Sequence, residues 1–182
     1  MLGMIGVSGN EYAKQSNSDK YTGIKYEELD CQGFVEQVLK DCGVRKSDGT
    51  AYNWTGSNAM WRKALLWKGT ISECVSLYGR IPLGAWLFIV KHDGGEIARG
   101  YHDNEGNATH VAILSREPSE FTDCVRDSTR SSKRNGVGYR SLDSFTHVGL
   151  PYMIEFFDDP KTVTKEKVLE ALEILTKFVK EC

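Results

Sequence analysis

The sequence predicts an α+β fold, in which helices come first along the chain and an antiparallel sheet follows. The segment 31–42 is the clearest helix, because its apolar residues recur at helical spacing: Phe34, Val35, Val38 and Leu39. An apolar run with strand character lies at 85–90, shortly before the turn signal Asp93-Gly94-Gly95. Further strand-like segments follow at 109–114, 123–128 and 153–157. Helices and strands are therefore segregated along the chain, which favours a helical part packed on a sheet.

Two more helices are predicted with less detailed signals. Ser57 or Asn58 can cap a helix that ends near Gly69. The last segment, 158–182, carries an apolar stripe at helical spacing, formed by Val168, Leu169, Leu172, Leu175, Phe178 and Val179. We therefore expect one folded domain at 1–157 with a C-terminal amphipathic helix appended at 158–182.

The composition argues against several classes of partner. The chain of 182 residues is 40% apolar, which is enough for an ordinary core, and its net charge of −2 predicts neither a nucleic acid nor an anionic membrane surface as a partner. The longest apolar run, 85–90, is far shorter than the ~20 residues that cross a bilayer. The amino terminus lacks the basic flank and long apolar stretch of a signal peptide. No oligomeric state is predicted.

The cysteines and histidines predict no metal site. The five cysteines lie at positions 31, 42, 74, 124 and 182 and contain no Cys-x-x-Cys pair. Their number and spacing fit neither a disulfide framework nor a zinc ribbon, so we expect reduced thiols and no metal or organic cofactor. His92 and His102 are each followed by aspartate, but no metal-binding spacing accompanies them, and we expect a solvated loop there.

Cys31 is placed where a thiol becomes a nucleophile. Asp30 is a good N-cap residue, and Leu29 and Phe34 fall at the two positions of a hydrophobic staple, so Cys31 is expected to be the first helical residue. The helix dipole and the unpaired N–H groups of the first turn favour thiolate over thiol at this position. Gly33 would let a peptide backbone approach the sulfur closely. The alternative is a small buried side chain, since free cysteine is among the most buried residue types.

A catalytic thiol needs an imidazole that takes its proton and later gives it to the leaving amine. His110 lies in a predicted strand, and alternation puts it on one face together with Ala112 and Leu114. Val111 lies on the opposite face. We expect His110 to face the nucleophile helix. The alternative is a histidine with a structural place in the core or on the sheet surface.

At this point the sequence resembles a known family. Asp30-Cys31-Gln32-Gly33-Phe34-Val35 is similar to the Asp-Cys-Ser-Gly-Phe-Val signature of the NlpC family of papain-like bacterial cell-wall cysteine peptidases. Thr109-His110-Val111-Ala112-Ile113 resembles the family's His-Val-Gly-Ile strand and follows in the same order. Pro82-Leu83-Gly84-Ala85 occupies the place of its Pro-Gly-Asp-Leu turn, and Tyr21-Thr22-Gly23 is similar to its Tyr-x-x-Gly-Gly approach. The resemblance covers roughly residues 12 to 157.

The resemblance implies a papain-like fold for the domain and a catalytic triad. Cys31 would be the nucleophile, His110 the base and Asp127 the residue that orients the imidazole. Ser128 is the alternative third residue, if the strand register is shifted by one. The family usually has a histidine as its third residue, where this chain has Asp127. The chain also departs from the family's motifs at Gln32, Ala85 and Ala112, and none of these three removes a catalytic group.

A predicted substrate site surrounds the thiol. By resemblance, Tyr21 would stabilise the oxyanion together with the Cys31 N–H, and Asp30 would recognise a free amino terminus, as its counterpart does in relatives specific for short stem peptides. Gln32 stands where the family has serine and is included in the site. Trp54 is included as an aromatic residue that can line a groove, although aromatics at such spacings also form cores.

A second histidine competes with His110 for the role of base. The segment Phe145-Thr146-His147-Val148-Gly149-Leu150 resembles the His-Val-Gly-Ile strand even more closely. It follows the segment of Asp127, however, and runs directly into Pro151. The order of the motifs therefore favours His110 over His147.

The activity that the resemblance implies is hydrolysis of the D-glutamyl to diamino-acid bond in the stem peptide of bacterial peptidoglycan. An amidase that separates sugar from stem peptide, with the same triad, is the alternative among enzymes. A wall-binding or tail-structural module without activity is the alternative of another class. The expected place of action is the bacterial cell wall, which fits a phage or mobile-element lysin.

Overall fold

The computed structural model describes residues 6–92, 101, 103–116, 125–127 and 136–156. The α-helices in these ranges are α1 (Gly9–Ser16), α2 (Cys31–Asp41), α3 (Ser57–Lys63) and α4 (Ile71–Tyr78). The strands are β1 (Val7–Ser8), β2 (Leu65–Thr70), β3 (Trp86–Lys91), β4 (Asn107–Leu114), β5 (Val125–Asp127), β6 (Gly138–Arg140), β7 (His147–Pro151) and β8 (Ile154–Glu155). Short 3-10 helices lie at Asp19–Tyr21 and Leu142–Ser144.

Six of the strands form one antiparallel sheet in the order β2-β7-β3-β4-β5-β6. The other two described strands, β1 and β8, pair in parallel, with Val7 opposite Ile154. The helices pack on the six-stranded sheet. The predicted α+β class is therefore confirmed.

The six-stranded sheet buries apolar side chains on both of its faces. On the first face, α1, α2 and α3 pack through a core that includes Tyr12, Phe34, Val35, Val38, Leu39, Met60, Trp61, Trp86, Phe88, Val111 and Ile113. On the second face, α4 covers a smaller core that includes Cys74, Ile81, Leu87, Ala112, Leu114, Phe145, Val148 and Leu150. The prediction that the helix of Cys31 packs on the sheet is confirmed, and α2 does so on the first face. Each large apolar side chain that is fully buried in these cores contributes about 1.5–3 kcal/mol.

The segment after Gly56 differs from the sequence prediction. The helix α3 ends at Lys63, and residues 65–70 form the edge strand β2 instead of continuing the helix to Gly69. The N-cap residue of α3 is Gly56, and no side chain caps this helix. The apolar pattern of 65–70 is ambiguous in sequence, and pairing with β7 decides that it is a strand.

The helix α4 was not predicted, although the sequence carries its start signal. The hydroxyl of Thr70 accepts a hydrogen bond from Glu73 N at 3.2 Å, and the Glu73 carboxylate accepts one from Thr70 N at 2.7 Å. This reciprocal pair is a capping box, which fixes the start of the helix.

Several predictions fall outside the described residues, namely the C-terminal helix at 158–182, Ser128 and His102. The division of the chain at 157 therefore stays a prediction. Within the described ranges, no helix combines the length and the apolar character needed to cross a bilayer.

Gly84 allows a close contact between the turn before β3 and the start of α1. Its φ is +81°, and a Cβ built there would lie 2.6 Å from Gly9 O and 2.9 Å from Gly9 Cα. We expect Gly84→Ala to lower the free energy of unfolding by about 3 kcal/mol or more, because left-handed backbone strain and a collision with backbone add together. Thermal unfolding should show a Tm lower by about 6–12 °C.

Gly79→Ala is the matched control for this substitution. Gly79 also has a positive φ, +75°, but no described atom lies within 4 Å of a Cβ built there. Its loss should be limited to about 1–2 kcal/mol of backbone strain. Equal losses for the two variants would show that the contact of Gly84 with Gly9 contributes nothing.

Candidate functional site

Cys31 is the first residue of α2, as the sequence predicts. Asp30 caps the helix, because its Oδ1 accepts a hydrogen bond from Gly33 N at 2.7 Å and its carbonyl accepts one from Phe34 N at 2.8 Å. The Cys31 side chain is half-buried against the core of the first face. The thiol therefore lies at the positive end of the helix dipole and is partly accessible to solvent.

The other described cysteines lie in less reactive surroundings. Burial raises the pKa of both Cys42 and Cys74 to about 11, so both thiols are protonated at neutral pH. Cys74 is in the core of the second face. Among the cysteines in the described ranges, Cys31 is therefore the best placed for nucleophilic chemistry.

Gly33 leaves room for the residues that cap α2. A Cβ built on Gly33 would lie 3.2 Å from Asp30 Oδ1 and 3.3 Å from Leu29 Cδ1, which is closer than ordinary contact. Glycine thus lets Asp30 and Leu29 close over the first turn of the helix. The approach of a substrate backbone at Gly33 stays a prediction.

His110 lies on the second face of the sheet, opposite Ile89 in β3. Its side chain is buried, and its ring stacks on Phe145, with 5.9 Å between the centroids and 24° between the planes. The helix α2 packs on the first face, where Val111 is part of the core. The predicted alternation is confirmed, but the expectation that His110 faces the nucleophile helix is not met.

A β-bulge directly before His110 determines the faces at this end of β4. His110 pairs with Ile89, but Ala108 pairs with Val90, so Thr109 is the extra residue. Strict alternation would put Ala108 on the same face as His110, whereas Ala108 belongs to the core of the first face. The sequence gives no signal for this bulge.

Side chains at the start of α3 form hydrogen bonds with Ala108, the residue before the bulge. Ser57 Oγ donates a hydrogen bond to Ala108 O at 2.6 Å, and Ala108 N donates one to Asn58 Oδ1 at 2.9 Å. Asn58 Nδ2 donates to Asn107 Oδ1 at 2.8 Å, and Arg62 Nη1 donates to Asn58 Oδ1 at 2.9 Å. The side chains predicted to cap a helix therefore bind β4 instead.

Arg62 extends this attachment to the loop before β4. Its guanidinium donates to both carboxylate oxygens of Asp103, at 2.7 and 2.8 Å, and to Gly106 O at 2.8 Å. The bidentate pair holds the pKa of Asp103 at about 2. The loop and the first residues of β4 are thus fixed to α3.

Asp127 lies on the strand next to the one that carries His110. The strand β5 runs antiparallel to β4, with Arg126 opposite Ile113, so the next residue, Asp127, lies one step closer to His110. The backbone therefore brings the predicted base and the predicted orienting residue to neighbouring strands.

Tyr21 does not take the place predicted for it beside the oxyanion. Its ring is buried edge-on against Phe34, and its hydroxyl donates to Asp41 Oδ2 at 2.5 Å. Asp41 is the last residue of α2, ten positions beyond Cys31, or about 15 Å along the helix axis. Burial and the bond to Asp41 raise the pKa of Tyr21 well above its usual value. The Tyr21 hydroxyl thus binds at the C-terminal end of α2, away from Cys31 at its start.

Gln32 uses its amide in hydrogen bonds within the chain, and its role in binding substrate stays a prediction. Its Nε2 donates to Trp54 O and, at 2.8 Å, to Glu36 Oε1, and its Oε1 accepts from Gly56 N at 2.5 Å. Glu36 Oε1 also accepts from Trp54 N at 2.6 Å. Burial raises the pKa of Glu36. Gln32 and Glu36 therefore attach the loop of Trp54 to α2 beside Cys31. Their spacing of four residues within a predicted helix is the sequence signal that indicates a contact between these two side chains.

Trp54 is half-buried in an aromatic cluster. Its ring lies parallel to that of Tyr52, with 5.3 Å between centroids, and edge-on to Trp86 at 5.6 Å. Tyr52 and Trp86 are both buried. Trp54 is thus the outer member of the cluster, and its role in binding substrate stays a prediction.

His147, the rival base, lies on the first face of the sheet. It opens β7 opposite Phe88, and its ring is edge-on to Trp61 with 5.4 Å between centroids. The ring of His92 lies at the same centroid distance, 5.4 Å. Burial, aided by the charge of His92, lowers the pKa of His147. His147 therefore shares the face of α2 but contacts α3.

The fold and the site define an α+β protein with a partly accessible thiol at the start of a capped helix. No family model matches the chain, and no similar protein is found among the curated proteins or the solved structures. The described residues contain no group of three or more histidine, cysteine or acidic side chains that could hold a metal ion.

Proposed function

We propose that this chain is a papain-like cysteine peptidase that hydrolyses the D-glutamyl to diamino-acid bond in the stem peptide of bacterial peptidoglycan. The position of Cys31 carries the proposal, because a partly accessible thiol at the start of a capped helix is a suitable nucleophile for a cysteine hydrolase. The resemblance of the motifs around Cys31 and His110 supplies the substrate class. The proposed place of action is the cell wall, as a phage or mobile-element lysin.

The proposed chemistry has two steps. In the first, the Cys31 Sγ attacks the carbonyl carbon of the stem peptide, and the thiol proton passes to His110 and then to the leaving amine. This transfer requires the His110 imidazole, which stacks on Phe145 on the second face in the structure, to reach the thiol. In the second, water hydrolyses the thioester and restores the thiol. The Cys31 N–H lies in the first turn and has no partner within the helix, so it is available to the oxyanion. Asp127 orients the imidazole.

Digestion of purified walls tests this proposal. Walls with different diamino acids in the stem peptide are incubated with the protein, and the released fragments are weighed by mass spectrometry. We expect fragments that carry a new amino terminus on the diamino acid. Release of whole stem peptides from the glycan would identify an amidase instead, and the absence of fragments from every wall would contradict both activities.

A wall-binding or tail-structural module is the second candidate, and specific observations favour it. His110 lies on the face opposite α2, and both Tyr21 and Gln32 make hydrogen bonds within the chain. Sedimentation with walls separates the candidates. If the chain is such a module, we expect the protein to bind walls without releasing fragments from them. Cys31→Ala should then bind walls as well as the parent does.

Asp30→Asn should distinguish two roles of Asp30, namely capping α2 and the proposed recognition of the substrate's amino terminus. Oδ1 of Asp30 accepts the capping bond, and asparagine caps a helix about as well, so Tm should change little. Loss of the charge should lower kcat/KM for stem peptides with a free amino terminus by about ten-fold or more, the size of a charge-assisted hydrogen bond. The control is a stem peptide with an acetylated amino terminus, on which the two proteins should act alike. Equal rates of the parent on free and acetylated peptides would remove the recognition role.

Asp127→Ala should weaken the proposed activity without removing it. A residue that orients the base matters less than the base, so we expect kcat/KM to fall by about 10- to 1000-fold. An anionic partner also favours the imidazolium form of His110, so its removal should move the alkaline limb of the pH–rate profile to lower pH. Ser128→Ala is the control under the same assay. A silent Asp127→Ala beside a strongly impaired Ser128→Ala would assign the role to Ser128.

A further inference from the structure

We propose that Glu36 and Trp54 form a subsite for the side-chain amine of the diamino acid, on the leaving side of the bond that Cys31 attacks. The ligand is an ammonium group on an aliphatic stem, as in lysine. This inference rests on the proposed function, because it names the determinant of substrate choice at the same site. It adds a second charge contact to the site, beside the one proposed for Asp30 and the amino terminus.

The Glu36 carboxylate has one oxygen bound within the chain and one oxygen available to a ligand. Oε1 accepts hydrogen bonds from Trp54 N at 2.6 Å and from Gln32 Nε2 at 2.8 Å. Among the described residues, no donor lies within hydrogen-bond distance of Oε2, and no cation forms an ion pair with this carboxylate. Oε2 is not closed off from solvent. An ammonium group of a ligand can therefore bind this oxygen.

The partial burial of this carboxylate favours a cationic ligand. Burial raises the pKa of Glu36, because the charge loses part of its solvation. Lys46 lowers this pKa from a distance, and its ammonium group lies over the Tyr52 ring, 6.0 Å from the centroid. A bound ammonium group would restore the lost stabilisation through a charge-assisted hydrogen bond. The charge at Glu36 therefore selects an amine over a neutral group.

Trp54 forms the apolar side of the subsite. Both of its backbone groups are held by α2, because its N–H donates to Glu36 and its carbonyl accepts from Gln32. The half-buried Trp54 ring is parallel to the Tyr52 ring, over which the Lys46 ammonium lies. This aromatic cluster thus already holds one ammonium group. The exposed part of Trp54 can pack on an aliphatic stem and attract the ammonium at its end.

The subsite lies within reach of a substrate bound at Cys31. Glu36 follows Cys31 by five residues on α2, which corresponds to about 7.5 Å along the helix axis and a rotation of about 140°. The two Cα atoms are therefore about 9 Å apart. An amine on a four-carbon stem can bridge a separation of this size when its own peptide bond lies at the thiol.

Peptide binding to the Cys31→Ala variant tests the subsite without turnover. Isothermal titration calorimetry measures Kd for a stem peptide with lysine as the diamino acid, and for the same peptide with an acetylated Nε. We expect the free amine to bind about ten-fold more tightly. Adding Glu36→Gln should remove this preference, because glutamine keeps an acceptor for Trp54 N but loses the charge. Adding Trp54→Leu should weaken binding of the free amine about three-fold.

Glu28→Gln is the matched control. Glu28 is an exposed acid three residues before Cys31, so this variant loses the same charge near the same end of α2. It should keep the preference for the free amine. An equal loss of preference in Glu28→Gln would show a general effect of charge and overturn the proposal.

Three further results would also overturn the subsite. They are equal binding of the two peptides, a preference that survives Glu36→Gln, and the absence of binding of either peptide. Unchanged binding in Trp54→Leu would remove Trp54 from the subsite. If walls are not digested but the preference depends on Glu36, the peptidase function fails and the subsite stands. If walls are digested and the two peptides bind alike, the subsite fails and the peptidase function stands.

Discussion

Cys31→Ala is expected to end the release of fragments from peptidoglycan and to leave the fold intact. The substitution removes the only atom proposed to form the thioester, so kcat/KM should fall by about 10⁴-fold or more. Alanine is smaller than cysteine and the position is half-buried, so the free energy of unfolding should change little. Fragment release is followed by mass spectrometry, and folding by thermal unfolding.

Cys42→Ala is the matched control. Cys42 follows the last residue of the same helix, and burial keeps its thiol protonated at neutral pH. This variant should retain the activity of the parent. Full activity in Cys31→Ala would end the peptidase proposal, and loss in both variants with an altered Tm would point to damage of α2.

His110→Ala should abolish turnover as completely as Cys31→Ala does. Without the imidazole, nothing takes the thiol proton or returns it to the leaving amine, and loss of the base costs about as much as loss of the nucleophile in comparable triads. The ring fills space against Phe145, so a modest decrease of Tm accompanies the loss. The measurement is kcat/KM on a stem peptide beside thermal unfolding of the same sample.

His147→Ala is the comparison that can contradict this assignment. His147 lies on the face of α2, next to Trp61, and is the base if the order of motifs is misleading. We expect it to retain most of the activity. An inactive but folded His147→Ala beside an active His110→Ala would transfer the role of base to His147.

The sequence predicted those parts of the site that depend on neighbours along the chain. The helix α2 and its cap follow from Asp30, Cys31 and the apolar spacing behind them, because capping and amphipathic packing are local signals. The strands β3 and β4 follow from runs of β-branched and aromatic residues. Alternation also predicted that His110 shares a face with Ala112 and Leu114, but not that this face lies opposite α2.

The parts that sequence reasoning missed depend on distant partners. Tyr21 was assigned to the wrong end of α2, because its bond to Asp41 joins segments that the pattern does not relate. The hydrogen bonds of Gln32 to the loop of Trp54 likewise join segments that the sequence pattern does not relate. The bulge at Thr109 arises from the pairing of β4 with β3 and from Asn58, none of which alternation alone reveals.

The strand order sets when this chain can fold during its synthesis. The strand β7 lies between β2 and β3, and it leaves the ribosome after both of them. Until His147–Pro151 is made, β2 has no strand beside it in the described sheet, and β3 has β4 alone. Pairing of this kind is distant along the chain and therefore slow. The growing polypeptide must carry β2 apart from the strands β3 to β6, with apolar faces and open edges, until β7 appears, and during this interval its exposure to aggregation is high.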